Sequence, residues 1–137
     1  MMPRRYVEPD IIAGWLHDSF ERLAELAELG PGWDGDDAAQ VSPRSLDEAR
    51  RFLLALQVSL PTATPDGPQP DAIMPLLSGG VQLEWASPRG ALEIEVKPDG
   101  TLGYLIAHGQ GASREFEEQD ESSMPELLHL AAQLLRP

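Results

Sequence analysis

Between residues 81 and 107 the chain alternates apolar and polar side chains in three short runs, separated by two strong turn signals. Leu83 and Trp85 alternate with Gln82 and Glu84. Leu92, Ile94 and Val96 alternate with Glu93 and Glu95, and Leu102, Tyr104 and Ile106 mark the third run. A period of two identifies strands with one buried face. Ser87-Pro88-Arg89-Gly90 and Pro98-Asp99-Gly100 supply the residues that tight turns require. If Ala86 pairs with Ala91 and Lys97 with Thr101, then Val81, Leu83 and Trp85 align with Val96, Ile94 and Leu92. Those align in turn with Leu102, Tyr104 and Ile106, which puts nine apolar residues on one face. Two turns chosen on local chemistry agree on one global face, and that agreement predicts an antiparallel meander covered by helices.

The flanking segments have helical period. Over residues 9–29, Ile12, Trp15, Leu16, Phe20, Leu23 and Leu26 with Ala27 recur at three-and-four spacing. Glu8 and Asp10 suit the positive end of that helix, and Gly30-Pro31-Gly32 cannot continue it. A second helix starts either at Ser42-Pro43, a cap and first-turn pair, or at the capping box Ser45-Leu46-Asp47-Glu48. Its buried stripe is Leu46, Ala49, Phe52, Leu53 and Leu56, and Pro61 ends it. Residues 61–70 hold four prolines and no large apolar side chain, which predicts a stiff extended connector with little packing. Residues 72–77 read as a strand that Pro75 confines to an edge. Residues 109–123 are polar and acidic around Phe116, either a mobile loop or a short edge strand. After Ser123 and Pro125, a stripe of Leu127, Leu128, Ala131, Leu134 and Leu135 predicts a last helix.

The expected fold is therefore α+β in one domain of 137 residues. It has two N-terminal helices (7–60), a proline-rich connector (61–70), an antiparallel β-meander of three to five strands (71–118) and a C-terminal helix (123–136) packed on one sheet face. The absence of cysteine excludes disulfides and thiolate chemistry. Arg4 and Arg5 are followed by no apolar run of the kind a secretory signal carries, and no stretch reaches the ~18 apolar residues of a membrane span. A cytoplasmic location and no membrane partner are expected. With 23 acids against 10 bases the formal charge is −13, which disfavours direct nucleic-acid binding and favours a protein with a basic surface. Acidity also serves plain solubility. A homodimer is left open.

The same register puts Glu84 opposite Glu93 and Gln82 opposite Glu95 on the polar face. Like charges facing each other on a sheet are destabilising, and a cation would relieve them: a divalent metal held by carboxylates, or an arginine- or lysine-rich partner. The simpler alternative is solvated acids on an open face. Asp34, Asp36 and Asp37 lack the spacing of an EF-hand loop. Trp33 is expected to anchor that loop on the core, Asp34 to cap neighbouring amides, and Gly35 to take an unusual backbone angle. Pro70-Asp71 with Glu95-Val96-Lys97 has the outline of a metal-dependent nuclease pattern. Lys97 is the only lysine, however, and no basic stripe would hold DNA. His17, His108 and His129 are far apart, and no nucleophile elbow, phosphate loop or zinc motif occurs, so neither a catalytic set nor a cofactor is expected.

Gly32-Trp33-Asp34-Gly35 with Ala38 and Ser42, followed by Gly80-Val81-Gln82-Leu83-Glu84-Trp85, resembles an uncharacterised family of small bacterial proteins. That family joins a Trp-Asp-Gly loop to a glycine-started strand ending Leu-Glu-Trp. The resemblance spans residues 15–107 and implies no particular activity. The chain departs from it after the loop glycine, where Asp36-Asp37 stand in place of an aromatic residue and a glycine. It marks Trp33, Asp34, Gly35, Glu84 and Trp85 as site candidates, with structural roles open for both tryptophans.

The expected function is a non-enzymatic interaction or regulatory module, an immunity or antitoxin-like role being one version. Glu84, Glu93 and Glu95, aided by Glu115, Glu117, Glu118, Asp120 and Glu121, would meet a basic patch. The rival is a metal-dependent enzyme or small-ligand binder using Asp34 with the sheet carboxylates. A third reading is mimicry of nucleic acid by the acidic surface.

Overall fold

The computed structural model describes residues 14–60, 67–109 and 111–136. Their order is α1 (Gly14–Ala27), α2 (Pro43–Ser59), β1 (Ala72–Pro75), β2 (Val81–Ser87), β3 (Gly90–Val96), β4 (Leu102–His108), β5 (Glu115–Ser122) and α3 (Met124–Leu135). A single helical turn at Gly111–Ser113 leads into β5. The strands form one antiparallel sheet in sequential order, β1-β2-β3-β4-β5, with the pairing the turn chemistry predicts. Val81, Leu83 and Trp85 lie opposite Val96, Ile94 and Leu92, and these opposite Leu102, Tyr104 and Ile106. All nine are buried in one cluster with the inward stripes of the three helices. Removing this much apolar surface from water is the main force that holds the helices on the inner face.

The starts of α2 and α3 follow from their caps, and the buried stripe of each helix faces the sheet. Ser42, not Ser45, caps α2: its Oγ accepts from the amides of Arg44 and Ser45 and donates to the Pro98 carbonyl at 2.6 Å. Ser45 is instead fully buried, its hydroxyl on the Val96 carbonyl at 2.8 Å, so it ties α2 to β3. The expected stripe of α2 is buried throughout. In α1 the stripe is Trp15, Leu16, Ser19, Leu23 and Leu26, while Ala27 is exposed. Ser19 escapes the cost of burial by donating back to the Trp15 carbonyl at 2.9 Å. Glu8, Asp10 and Ile12 lie outside the described residues. Ser123 caps α3, which lies against α2 and β3 and adds Leu127, Ala131 and Leu134 to the core.

Of the two readings of the segment after β4, the edge strand is the one present, and it runs to Ser122, past the expected limit at residue 118. One expectation is corrected. The end of the connector is well packed. Pro68 and Pro70 are buried, the Pro68 carbonyl accepts from the Trp85 indole at 2.8 Å, and a Cβ on Gly67 would come within 2.6 Å of the Trp15 ring. Residues 61–66 and Pro61 as helix stop lie outside the described residues. Among the described residues no helix is long and apolar enough to cross a membrane.

Candidate functional site

The described helices cover only the inner face of the sheet, so among the described residues the alternating side chains of each strand build an open outer face. Across its middle runs the row Ala72, Glu84, Glu93, Leu105 and Glu118, each opposite the next. The adjacent row is Met74, Gln82, Glu95 and Gly103. On the other side lie Ala86, Ala91, Ala107 and Phe116. The centre is therefore acidic, and much of the floor is alanine or glycine.

The predicted facing pair Glu84 and Glu93 exists as expected. Gln82 turns its amide to Glu84, Nε2 to Oε2 at 2.5 Å, so one carboxylate has a neutral donor. Among the described residues none of Glu84, Glu93, Glu95 and Glu118 takes part in an ion pair. The only lysine does not relieve them either, because Lys97 Nζ donates to the Asp120 carbonyl at 2.8 Å. A shallow depression of about 160 Å³ opens here, lined by Gln82, Glu93, Glu95, Leu105, Glu118 and Asp120. Leu105 and Phe116 belong to this face although no motif marked them, and extending the register to β4 and β5 would have found both.

The loop candidates fall elsewhere. Asp34 Oδ1 accepts from the amides of Asp36 (2.9 Å) and Ala38 (3.2 Å), and Gly35 takes the left-handed angle φ +85°. Trp33 is half-buried and outside the core cluster, contrary to the expected anchor. Its indole donates to the Ala39 carbonyl at 2.9 Å and braces the loop on itself. The loop is held to the turn end of the sheet by Ala39 N–H on the Leu77 carbonyl and Ser42 N–H on the Gly79 carbonyl. Among the described residues the loop's backbone bonds to the sheet reach only Leu77 and Gly79, and no group of three acids joins Asp34 to the sheet carboxylates. Trp85 points into the core, 3% exposed, with an edge-to-face contact to Phe52. It is thus on the opposite side of the sheet from Glu84.

The nuclease-like outline is not assembled. Asp71 Oδ2 accepts from the Ala86 amide at 2.6 Å on one strand, while Glu95 faces Gln82 and Lys97 reaches β5. Among the described residues no group of three His, Cys, Asp or Glu is placed to hold a metal ion. A larger cleft of about 330 Å³ between α1 and β1 includes Asp71 and Arg22, and Arg22 donates to the Ile73 carbonyl and to Glu25. His17 and His108 make exposed contacts with Glu21 and Glu117. Tyr104 OH donates to Glu117 at 2.9 Å. Burial first, then this carboxylate, pushes the Tyr104 phenol up to about 12. Compared with protein-family models, curated proteins and solved structures, the chain matches none.

Proposed function

We propose that this protein is a non-enzymatic interaction or regulatory module that presents its open sheet face to a basic surface on a protein partner. An immunity or antitoxin-like inhibitor is one form of such a module. The observation that supports it is the Glu84–Glu93 pair, which among the described residues has no cation partner, on the face that the described helices do not cover. Directly opposed like charges destabilise a sheet. A sequence that retains such a conflict at one place, while its turns, caps and core agree, points to a use for it. Guanidinium or ammonium groups seated between the carboxylates would remove the repulsion on binding, and the surrounding acidity would steer a basic partner to the face.

The test is capture of partners from the protein's own source at low salt, followed by titration of the captured partner against wild type and the double variant Glu84→Gln/Glu93→Gln. The variant is expected to be slightly more stable, to bind more weakly, and to lose part of the salt dependence. Equal affinity and equal salt slope would refute a role for the acidic face.

A further inference from the structure

The two edges of the sheet are treated differently. β1 has only four residues, ends in Pro75, and has its outward Ile73 carbonyl taken by Arg22 Nε at 3.0 Å. A short strand, a proline and a covered carbonyl are standard ways of closing an edge. β5 is the longest strand at eight residues, with no proline and seven of its eight side chains exposed. No described strand or helix lies along its outer edge.

The ladder fixes which backbone groups face outward. Lys97 N–H bonds the Thr101 carbonyl and Gly109 N–H bonds the Arg89 carbonyl, so odd-numbered positions of β4 bond to β3 and even-numbered ones to β5. Tyr104, Ile106 and His108 therefore bond Gln119, Glu117 and Glu115. The amides and carbonyls of Phe116 and Glu118 are left pointing away from the sheet. Phe116 is 65% exposed at this edge, with the Arg114 guanidinium 5.8 Å from its ring centre.

We propose that the outer edge of β5, from Glu115 to Gln119, is a strand-addition site for an extended, basic segment of a protein partner. Backbone hydrogen bonds from Phe116 and Glu118 would extend the sheet by one strand, and Phe116 would pack against an apolar side chain of the incoming segment. Charge selects the occupant. Glu115, Glu117 and Glu118 flank the edge with no base in β5. A second copy would bring acids against acids, whereas lysine or arginine at alternate positions would pair with them. The site is separate from the face proposed above, since it works through the backbone and not through Glu84 and Glu93.

The probe is a short peptide alternating lysine with valine and threonine, titrated into the isotope-labelled full chain. Its amide shifts and hydrogen exchange are followed, and a copy of the peptide N-methylated along one edge is run in parallel. Binding is expected to slow exchange at the Phe116 and Glu118 amides, and each blocked peptide amide is expected to weaken affinity about tenfold. Glu118→Pro should abolish binding while leaving the β4 ladder intact, because that amide does not face β4. Glu84→Gln/Glu93→Gln should retain it. The proposal is overturned if Phe116 and Glu118 do not respond, if the N-methylated peptide binds equally well, or if those amides become protected with protein concentration alone, which would mean pairing between copies.

Discussion

Gly103→Ala isolates what holds the edge strand. The ladder between β4 and β5 shifts register between Leu102 and Tyr104, and Gly103 sits opposite that bulge. A Cβ there would lie 2.7 Å from the Asp120 carbonyl oxygen and 3.0 Å from that of Gln119, both backbone atoms. An ordinary carbon–oxygen contact is about 3.3 Å, so β5 must withdraw by roughly 0.5 Å. Overpacking of this kind costs about 1–3 kcal/mol. The less flexible unfolded chain returns about 0.4–1 kcal/mol. The net loss is about 1–2 kcal/mol, equivalent to a midpoint about 4–8 °C lower for a chain of this length. Because the side chains of β5 contribute almost nothing to the core, the strain has an outlet in local opening of that strand. Calorimetry gives the global term and amide hydrogen exchange the local one, with loss of protection concentrated at Glu117 and Gln119. A variant that melts within about 1 °C of wild type and keeps that protection would refute the assignment of the bulge.

Ser42→Ala should cost about 1–2 kcal/mol in denaturant unfolding with an unchanged slope, since it removes the α2 cap together with the 2.6 Å bond to Pro98. An effect under about 0.3 kcal/mol would mean the cap is replaced by water. Tyr104 should ionise near pH 12 in a near-ultraviolet absorbance titration, and Tyr104→Phe should remove that step. Its proton is held more tightly folded than unfolded, where a phenol ionises near about 10. The stability it contributes is therefore complete below about pH 10 and is lost as pH rises through about 12. Tyr6 is the second phenol of the chain, so the decisive result is the step near pH 12: if that step survives Tyr104→Phe, it does not belong to Tyr104 and the assignment fails.

The meander was legible because each of its three central strands has one buried face, so Leu83, Ile94 and Tyr104 recur at a period of two and fix the register with no other information. β5 was legible only as one of two alternatives, a loop or an edge strand, for the converse reason. Its residues Glu115–Ser122 are solvated on both faces, which leaves no apolar rhythm, and only the ladder to β4 makes it a strand. The start of α2 was ambiguous because Ser42 and Ser45 both carry local cap signals. The choice is made by distant carbonyls, Pro98 for one and Val96 for the other, which no local pattern encodes. The connector looked unpacked for a similar reason: Pro68 is held by Trp85, seventeen positions away. Of the site candidates, Glu84, Glu93 and Glu95 followed from the register, whereas Trp33 and Trp85 have work inside the fold that a motif cannot distinguish from binding.

The small residues of the outer face bear on what that face is for. A sheet surface that had only to be wetted would be better built from threonine and other β-branched residues, since alanine and glycine lower strand propensity. Gly103 has a structural cause in the approach of the Asp120 carbonyl. Ala86 is exposed and Ala91 half-buried, and both lie beside the row that holds Glu84 and Glu93. A floor of methyl groups leaves the carboxylates standing above their surroundings, so a guanidinium or ammonium group can approach from the side as well as from above. The alanines and the opposed acids thus act in the same direction, and both leave the carboxylates of this face accessible, as the proposed binding of a basic partner requires.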